Sequence, residues 1–177
     1  MKKLFISHSH AEKELVTQLI ILIKNTTKSL RSDDILCTSA PGTDLMVGKS
    51  INTEIKKYLE EAKIICGLIT HNSIHSEYVL FELGAGWAQD KAIAILGPDA
   101  SITPEDIPAP LRGNTCIRIS EKTGLYKLID YICTKCGVDP EPRDVLEQGI
   151  SNFLDKIANI EFTKLHRSEE RRVGKEC

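Results

Sequence analysis

Residues 64 to 88, I-I-C-G-L-I-T-H-N-S-I-H-S-E-Y-V-L-F-E-L-G-A-G-W-A, read as a strand, a short polar loop and a helix. The first six form a continuous apolar run of strand length, the pattern of a strand covered on both faces. From Ser76 the period changes: Leu80, Leu83 and Trp87 recur at helical spacing and predict a single buried stripe. Tyr78 and Glu82, four residues apart, then share the opposite side, and Gly86 one turn further on leaves open space beside the carboxylate. A Glu on a helix surface is ordinary by itself. Glu82 gains interest only if the fold gathers other polar segments beside it.

The same unit recurs towards the N-terminus. Residues 3–7, K-L-F-I-S, are a short apolar run. Ser9 with Glu12 three residues later is a capping-box pattern, followed by Leu15, Val16, Leu19, Leu22 and Ile23 at helical spacing. Residues 34–38 carry the next strand, I-L-C-T, and S-A-P-G-T-D-L-M-V-G-K at 39–49 is a loop punctuated by Gly and Pro. It is longer than the usual connection in such units, and long connections are often functional. Ser50 can cap a helix whose apolar stripe is Ile51, Ile55, Tyr58, Leu59 and Ala62.

Towards the C-terminus, residues 92–96 give a fourth strand and residues 116–119 a fifth. The stretch between them, with Pro104, Pro108 and Pro110, is too broken for a long helix. Leu125, Leu128, Ile129, Ile132 and Cys133 mark a helix stopped by Gly137 and Pro140. Five apolar, non-alternating strands separated mostly by helices predict an α/β domain over residues 1–137. Its fold class is a flavodoxin-like, doubly wound, five-stranded parallel sheet. Residues 138–161 form an extension with an extra amphipathic helix carrying Leu146, Ile150, Phe153, Leu154 and Ile157. That helix packs either on its own domain or on a partner. Residues 162–177 read as a tail outside the fold, and R-S-E-E-R-R-V-G-K-E-C within it looks like translated vector sequence.

Composition narrows the function classes. A chain of 177 residues, 41% hydrophobic, is one globular domain with a sizeable core. Its net charge of -2 gives no reason to expect nucleic acid or an anionic membrane as the main partner. No apolar run approaches membrane-spanning length, and M-K-K-L-F-I-S turns polar too soon for a signal peptide. Cys37, Cys66 and Cys116 sit in strand-like runs and read as buried free thiols, which places the chain in a reducing cytoplasm. Cys133 and Cys136 lack a second pair, and His8, His10, His71 and His75 lie on loops without ligand spacing, so no metal is expected.

In doubly wound sheets ligands sit at the carboxyl edge of the strands, near the switch in strand order. That edge collects loops 7–10, 39–49 and 70–76, with Glu82 in the first turns of the helix after the last. These residues resemble the Toll/interleukin-1 receptor (TIR) domain family. Phe5, Ile6 and Ser7 match its first box. Pro41 and Gly42, with Val47, Gly48 and Lys49, match the loop of its second box. Ser76, Glu82 and Leu83 match the helix pattern S-x-W-x-x-x-E-L, with Tyr78 in the tryptophan position. Ser39-Ala40 stand where animal adaptors have Arg-Asp, and the adaptor F-W box has no counterpart, which points away from a receptor-adaptor role.

The resemblance implies a prokaryotic TIR protein of the branch that cleaves NAD+, a hydrolase or ADP-ribose cyclase in bacterial antiviral defence or immune signalling. It implies a homo-oligomer built through contacts between TIR copies, with a sensor or effector as partner. NAD+ is then the substrate and no cofactor is needed; the chain has no G-x-G-x-x-G fingerprint for holding NAD+ as a redox cofactor. Glu82 becomes the catalytic carboxylate. The substrate contacts become Ser7, His8, Ser9, Gly42, Asp44, Leu45, Gly48, Lys49, Ser76 and Tyr78, with Tyr78 as an aromatic wall. A single carboxylate suits this chemistry, because the leaving group is already a pyridinium cation and departs neutral without a general acid. Two other readings remain open: a non-enzymatic TIR interaction module, and an enzyme like the nucleoside deoxyribosyltransferases, which share this kind of sheet and use a Glu nucleophile.

Overall fold

The computed structural model describes residues 3–37, 51–112 and 116–160. Strands β1 (Leu4–Ser7), β2 (Ile35–Cys37), β3 (Ile64–Ile69), β4 (Ala92–Leu96) and β5 (Cys116–Arg118) form a five-stranded sheet in the order β2-β1-β3-β4-β5. Every neighbouring pair is parallel. Helices α1 (Lys13–Thr26), α2 (Ile51–Glu61), α3 (Glu77–Trp87), α4 (Ala109–Arg112), α5 (Lys122–Cys136) and α6 (Arg143–Ala158) cover its two faces. This is the flavodoxin-like doubly wound arrangement, with the switch in strand order between β1 and β3.

Successive strand residues face opposite layers. Leu4 and Ile6 of β1, Ile64, Cys66 and Leu68 of β3, and Ile93 and Ile95 of β4 join the buried faces of α1, α5 and α6 in the larger core. On the other side Phe5 and Ile65 meet Leu59 and Ala62 at the end of α2. Beyond them Ile69, Ala92, Ala94 and Leu96 meet Val79 and Leu83 of α3 and Leu111 of α4. The sequence left open where the last helix packs. Ile150, Phe153 and Ile157 of α6 are buried in the same core as Leu22 and Ile23 of α1, so it packs on its own domain.

The two faces differ in bulk. Strand register sets Ser7, Gly67, Ala94 and Cys116 side by side on neighbouring strands, facing α3 and α4. This row is small, where the opposite face carries Ile and Leu. Over it α3 comes close to the sheet: a Cβ on Gly67 would overlap the Leu83 side chain, and one on Gly86 would lie 2.9 Å from the Cβ of Ile65. Close approach of helix to strand therefore requires glycine at both positions.

That approach corrects the orientation predicted for α3. Its buried residues are Val79, Glu82, Leu83 and Gly86, while Leu80 is half-buried and Trp87 is 47% exposed. At about 100° per residue the buried face is turned roughly a quarter turn from the Leu80, Leu83, Trp87 stripe. The narrow gap above β3 takes the hydrogen of Gly86 and excludes an indole. Gly86 thus faces Ile65 and does not open space beside the carboxylate. A second correction concerns the capping box: Ser9 Oγ accepts from the Ala11 N–H at 3.4 Å, residues 10–12 form a 3-10 turn, and the Glu12 side chain turns inward.

Among the described residues no helix is long and apolar enough to cross a membrane. Cys37, Cys66, Cys116, Cys133 and Cys136 carry free thiols, and burial pushes the Cys37 thiol up to about 11. The loop 39–49, the capping residue Ser50 and the tail 162–177 lie outside the described residues.

The fit of Leu83 over Gly67 can be measured. Gly67→Val overpacks the contact and is expected to cost about 1–3 kcal/mol, a drop of several degrees in Tm for a domain of this size. Leu83→Ala alone opens a cavity at a cost of about 2–5 kcal/mol. In the double variant the smaller residue makes room for valine, so the combined loss should be well below the sum. Strict additivity across the four proteins in thermal unfolding would show that the two positions do not press on each other.

Candidate active site

Ser7 closes β1 on the same side as Phe5, the side that faces α2 and α3. Ser76 starts α3 by capping it, its Oγ accepting from the Val79 N–H at 3.5 Å. Six residues beyond the cap, Glu82 comes over the end of β1, and the Ser7 hydroxyl donates a short hydrogen bond to Glu82 Oε2. Both residues are buried, Glu82 with only 3% of its surface exposed. Burial disfavours the charged form and raises the Glu82 pKa to about 7, while the Ser7 hydrogen bond acts in the opposite, weaker direction.

Glu82 also borders a cleft of about 700 Å³ between α2 and α3. A volume of this order is typical of small-molecule sites. Glu77, Tyr78, Phe81, Glu82 and Ala85 of α3, with Gln89 just beyond its end, line one wall, and Ile55, Lys56, Leu59 and Glu60 line the facing wall from α2. The α3 stripe and the buried stripe of Val79, Glu82, Leu83 and Gly86 overlap in a single residue, Glu82. It sits at the boundary between core and cleft. Tyr78 does share the cleft with Glu82, and its ring is largely solvent-exposed at 72%.

The remaining sequence candidates divide into three groups. His8 is buried, its Nδ1 lies 3.3 Å from the Ile6 carbonyl oxygen, and desolvation lowers its pKa, so the ring is neutral at pH 7. Ser9 and Ser76 are engaged as helix caps. Gly42, Asp44, Leu45, Gly48 and Lys49 lie outside the described residues. Among the histidines, His71 Nε2 lies 2.7 Å from Ser101 Oγ and 3.1 Å from Asp99 Oδ2. Among the described residues no three His, Cys, Asp or Glu side chains are grouped so as to hold a metal ion.

Sequence reasoning missed a second buried acid at this edge. Glu12 is 3% exposed, and its Oε1 accepts from Thr70 Oγ1 and from Asn72 Nδ2, each at 2.8 Å. Its Oε2 has no hydrogen-bond partner among the described residues. The periodicity contained the signal: Glu12 precedes Leu15, Val16 and Leu19 by three, four and seven residues and so heads the apolar stripe of α1.

No family model matches the chain. Over 86 residues it is 33% identical to "Uncharacterized protein YddK" of Bacillus subtilis (strain 168), a match covering 49% of this chain and 32% of that protein. The matched part is thus about a third of the relative's length. Among solved structures there is a distant likeness, at TM-score 0.44 and 15% identity, to a chain of "Structure of the activated Roq1 resistosome directly recognizing the pathogen effector XopQ (TIR domains)". It covers 96% of this chain and 91% of that one.

The raised pKa of Glu82 has a direct consequence for stability. Between the ordinary value of 4.5 and about 7 the folded chain keeps a proton that the unfolded chain has lost. Stability conferred by that proton is therefore full below 4.5 and lost as pH rises through about 7, a difference of roughly 3 kcal/mol. Glu82→Gln cannot ionise, so its Tm should exceed that of wild type at about pH 8 and match it at about pH 4. Ser7→Ala removes the donor that favours the anion, so its loss at high pH should be larger than that of wild type. Parallel Tm profiles for wild type and Glu82→Gln would mean that Glu82 titrates as an ordinary surface acid.

Proposed function

We propose that the cleft takes NAD+ and that Glu82 carries the cleavage of its nicotinamide–ribose bond, making this chain a TIR-type NAD+ glycohydrolase or ADP-ribose cyclase. One observation supports this most: a carboxyl buried against the core yet bordering a cleft of suitable size is held by the serine of the F-I-S box at the strand-order switch. The TIR-like boxes of the sequence converge on that contact, since Ser7 belongs to one and Glu82 to another.

The chemistry needs little beyond this. The bond between ribose C1′ and the pyridinium nitrogen breaks, its electron pair stays on nitrogen, and nicotinamide leaves neutral. The ribose becomes an oxocarbenium-like cation. Water captures it and a proton is released, giving ADP-ribose, or another part of the same molecule captures it, giving a cyclic product. Ionised Glu82 faces the positive charge that develops, in a site where burial strengthens the interaction. The Ser7 hydroxyl fixes the carboxylate oxygen, and Tyr78 and Phe81 offer aromatic surface at the mouth of the cleft.

The test is nicotinamide release from NAD+ by concentrated protein, because the family resemblance implies that contacts between copies complete the site. Glu82→Gln keeps the shape and removes the charge. Release should fall by at least about a hundredfold, the equivalent of a few kcal/mol of lost transition-state stabilisation, while the Tm at neutral pH is retained or raised. For wild type, kcat/KM should rise with pH through a midpoint near 7. The midpoint for kcat should lie lower, because the bound pyridinium favours the anion. Wild type that never releases nicotinamide would shift the reading to an interaction module, and base exchange on deoxynucleosides to a deoxyribosyltransferase. A Gln variant as active as wild type would remove Glu82 from the chemistry.

A further inference from the structure

Glu12 is a buried acid that this chemistry leaves unused. Its Oε1 accepts the Thr70 hydroxyl and the Asn72 amide across 58 and 60 residues of chain, joining the turn after β1 to the loop after β3. That loop is tightly self-bonded. The Thr70 N–H donates to Ser73 Oγ at 2.7 Å, the Ser73 N–H donates to Thr70 Oγ1 at 3.2 Å, and the Ser76 N–H donates to the Ser73 carbonyl at 2.9 Å. Ser76 is the cap of α3, and Glu82 lies less than two turns beyond it. An unbroken series of hydrogen bonds thus runs from Glu12 through the loop to the start of the helix that carries Glu82.

We propose that Glu12 is a positioning residue: it ties the end of β1 to the loop before α3 and so holds Glu82 against Ser7. This rests on the reading of Glu82 as the reacting carboxylate. The two carboxyls belong to opposite ends of the same linkage, Glu12 five residues after Ser7 and Thr70 twelve residues before Glu82, so freeing one end lets α3 shift relative to β1. Among the described residues only Oε1 of Glu12 is engaged, and Gln can supply the same acceptor while placing its amide where Oε2 stands without a partner there. Shape and the acceptor, and not the negative charge, should therefore be what the site needs.

The experiment follows the Glu82 carboxyl by carbon-detected NMR across a pH titration of the full chain, with no substrate present. The titratable side chains sharing its cleft, Lys56, Glu60, Glu77 and Tyr78, and the buried His8 that follows β1 are the same in every variant. Glu12→Ala should let the helix start loosen and water reach Glu82, lowering its midpoint from about 7 by about one pH unit or more, because burial is the larger cause of its elevation. Glu12→Gln should keep the wild-type midpoint. A midpoint in Glu12→Ala that stays at or rises above the wild-type value overturns the proposal, as does a Gln variant that shifts as far as Ala. If Glu12→Ala does not fold, the Thr70→Val, Asn72→Ala double variant cuts the same link from the other side and is judged by the same downward shift. Nicotinamide release, assayed separately, should fall about tenfold in kcat for Ala and recover in Gln. Since the titration needs no NAD+, absence of turnover in wild type would defeat the enzymatic reading and leave the positional result legible.

Discussion

The structure depends on how closely α3 lies against the sheet. Ser7, Gly67, Ala94 and Cys116 form a row of small side chains across adjacent strands, and Leu83 and Gly86 settle onto Gly67 and Ile65 where larger residues would hold the helix away. Ser7 supplies the hydroxyl of that row. A helix this close brings whatever follows its inward stripe out of water, and the residue it brings over Ser7 is an acid. The carboxyl can stay there because it accepts the serine's hydrogen bond and because it holds its proton up to about pH 7.

Helix geometry then decides what the acid can reach. At about 100° per residue, Val79, Leu83 and Gly86 point at the sheet while Tyr78, Phe81 and Ala85 point at α2. Glu82 lies between the two directions. A residue one step further towards the sheet would be sealed in the core, and one step further towards α2 would be solvated with an ordinary pKa. The boundary position gives a carboxyl that is desolvated on one side and open to a ligand on the other.

Much of this layout was legible before any coordinates. The runs at 64–69 and 92–96 become strands with those same bounds, because strands buried on both faces leave an unbroken apolar run that few other elements produce. The strand-order class followed from their alternation with helices. The orientation of α3 was not legible, because hydrophobic periodicity weighs bulky residues and ignores small ones. Trp87 looked like core by its hydrophobicity, yet the tight gap selected Gly86 and Gly67, whose contribution is the space they leave. The same bias put Glu82 on the solvent side when it is buried. Glu12 was hidden differently: its spacing from Ser9 suggested a capping box, and that local use masked its place at the head of the α1 stripe.

On the proposed chemistry, the charge in the cleft also sets which end of the substrate meets Glu82. The described walls carry three carboxyls, Glu60, Glu77 and Glu82, against the single ammonium of Lys56. A diphosphate beside Glu82 would be repelled if the carboxyl were ionised and would itself hold the carboxyl protonated, removing the charge the reaction uses. A pyridinium ring has the opposite effect: its positive charge favours the ionised form, so its entry and the loss of the Glu82 proton promote each other by linkage. On that reading the nicotinamide end lies towards Glu82, with the diphosphate held away from the acidic wall. When the C–N bond breaks, the positive charge moves from the ring to the ribose without leaving the reach of the carboxylate. The neutral nicotinamide is then the fragment that the acidic cleft no longer holds, which gives departure of the product a direction.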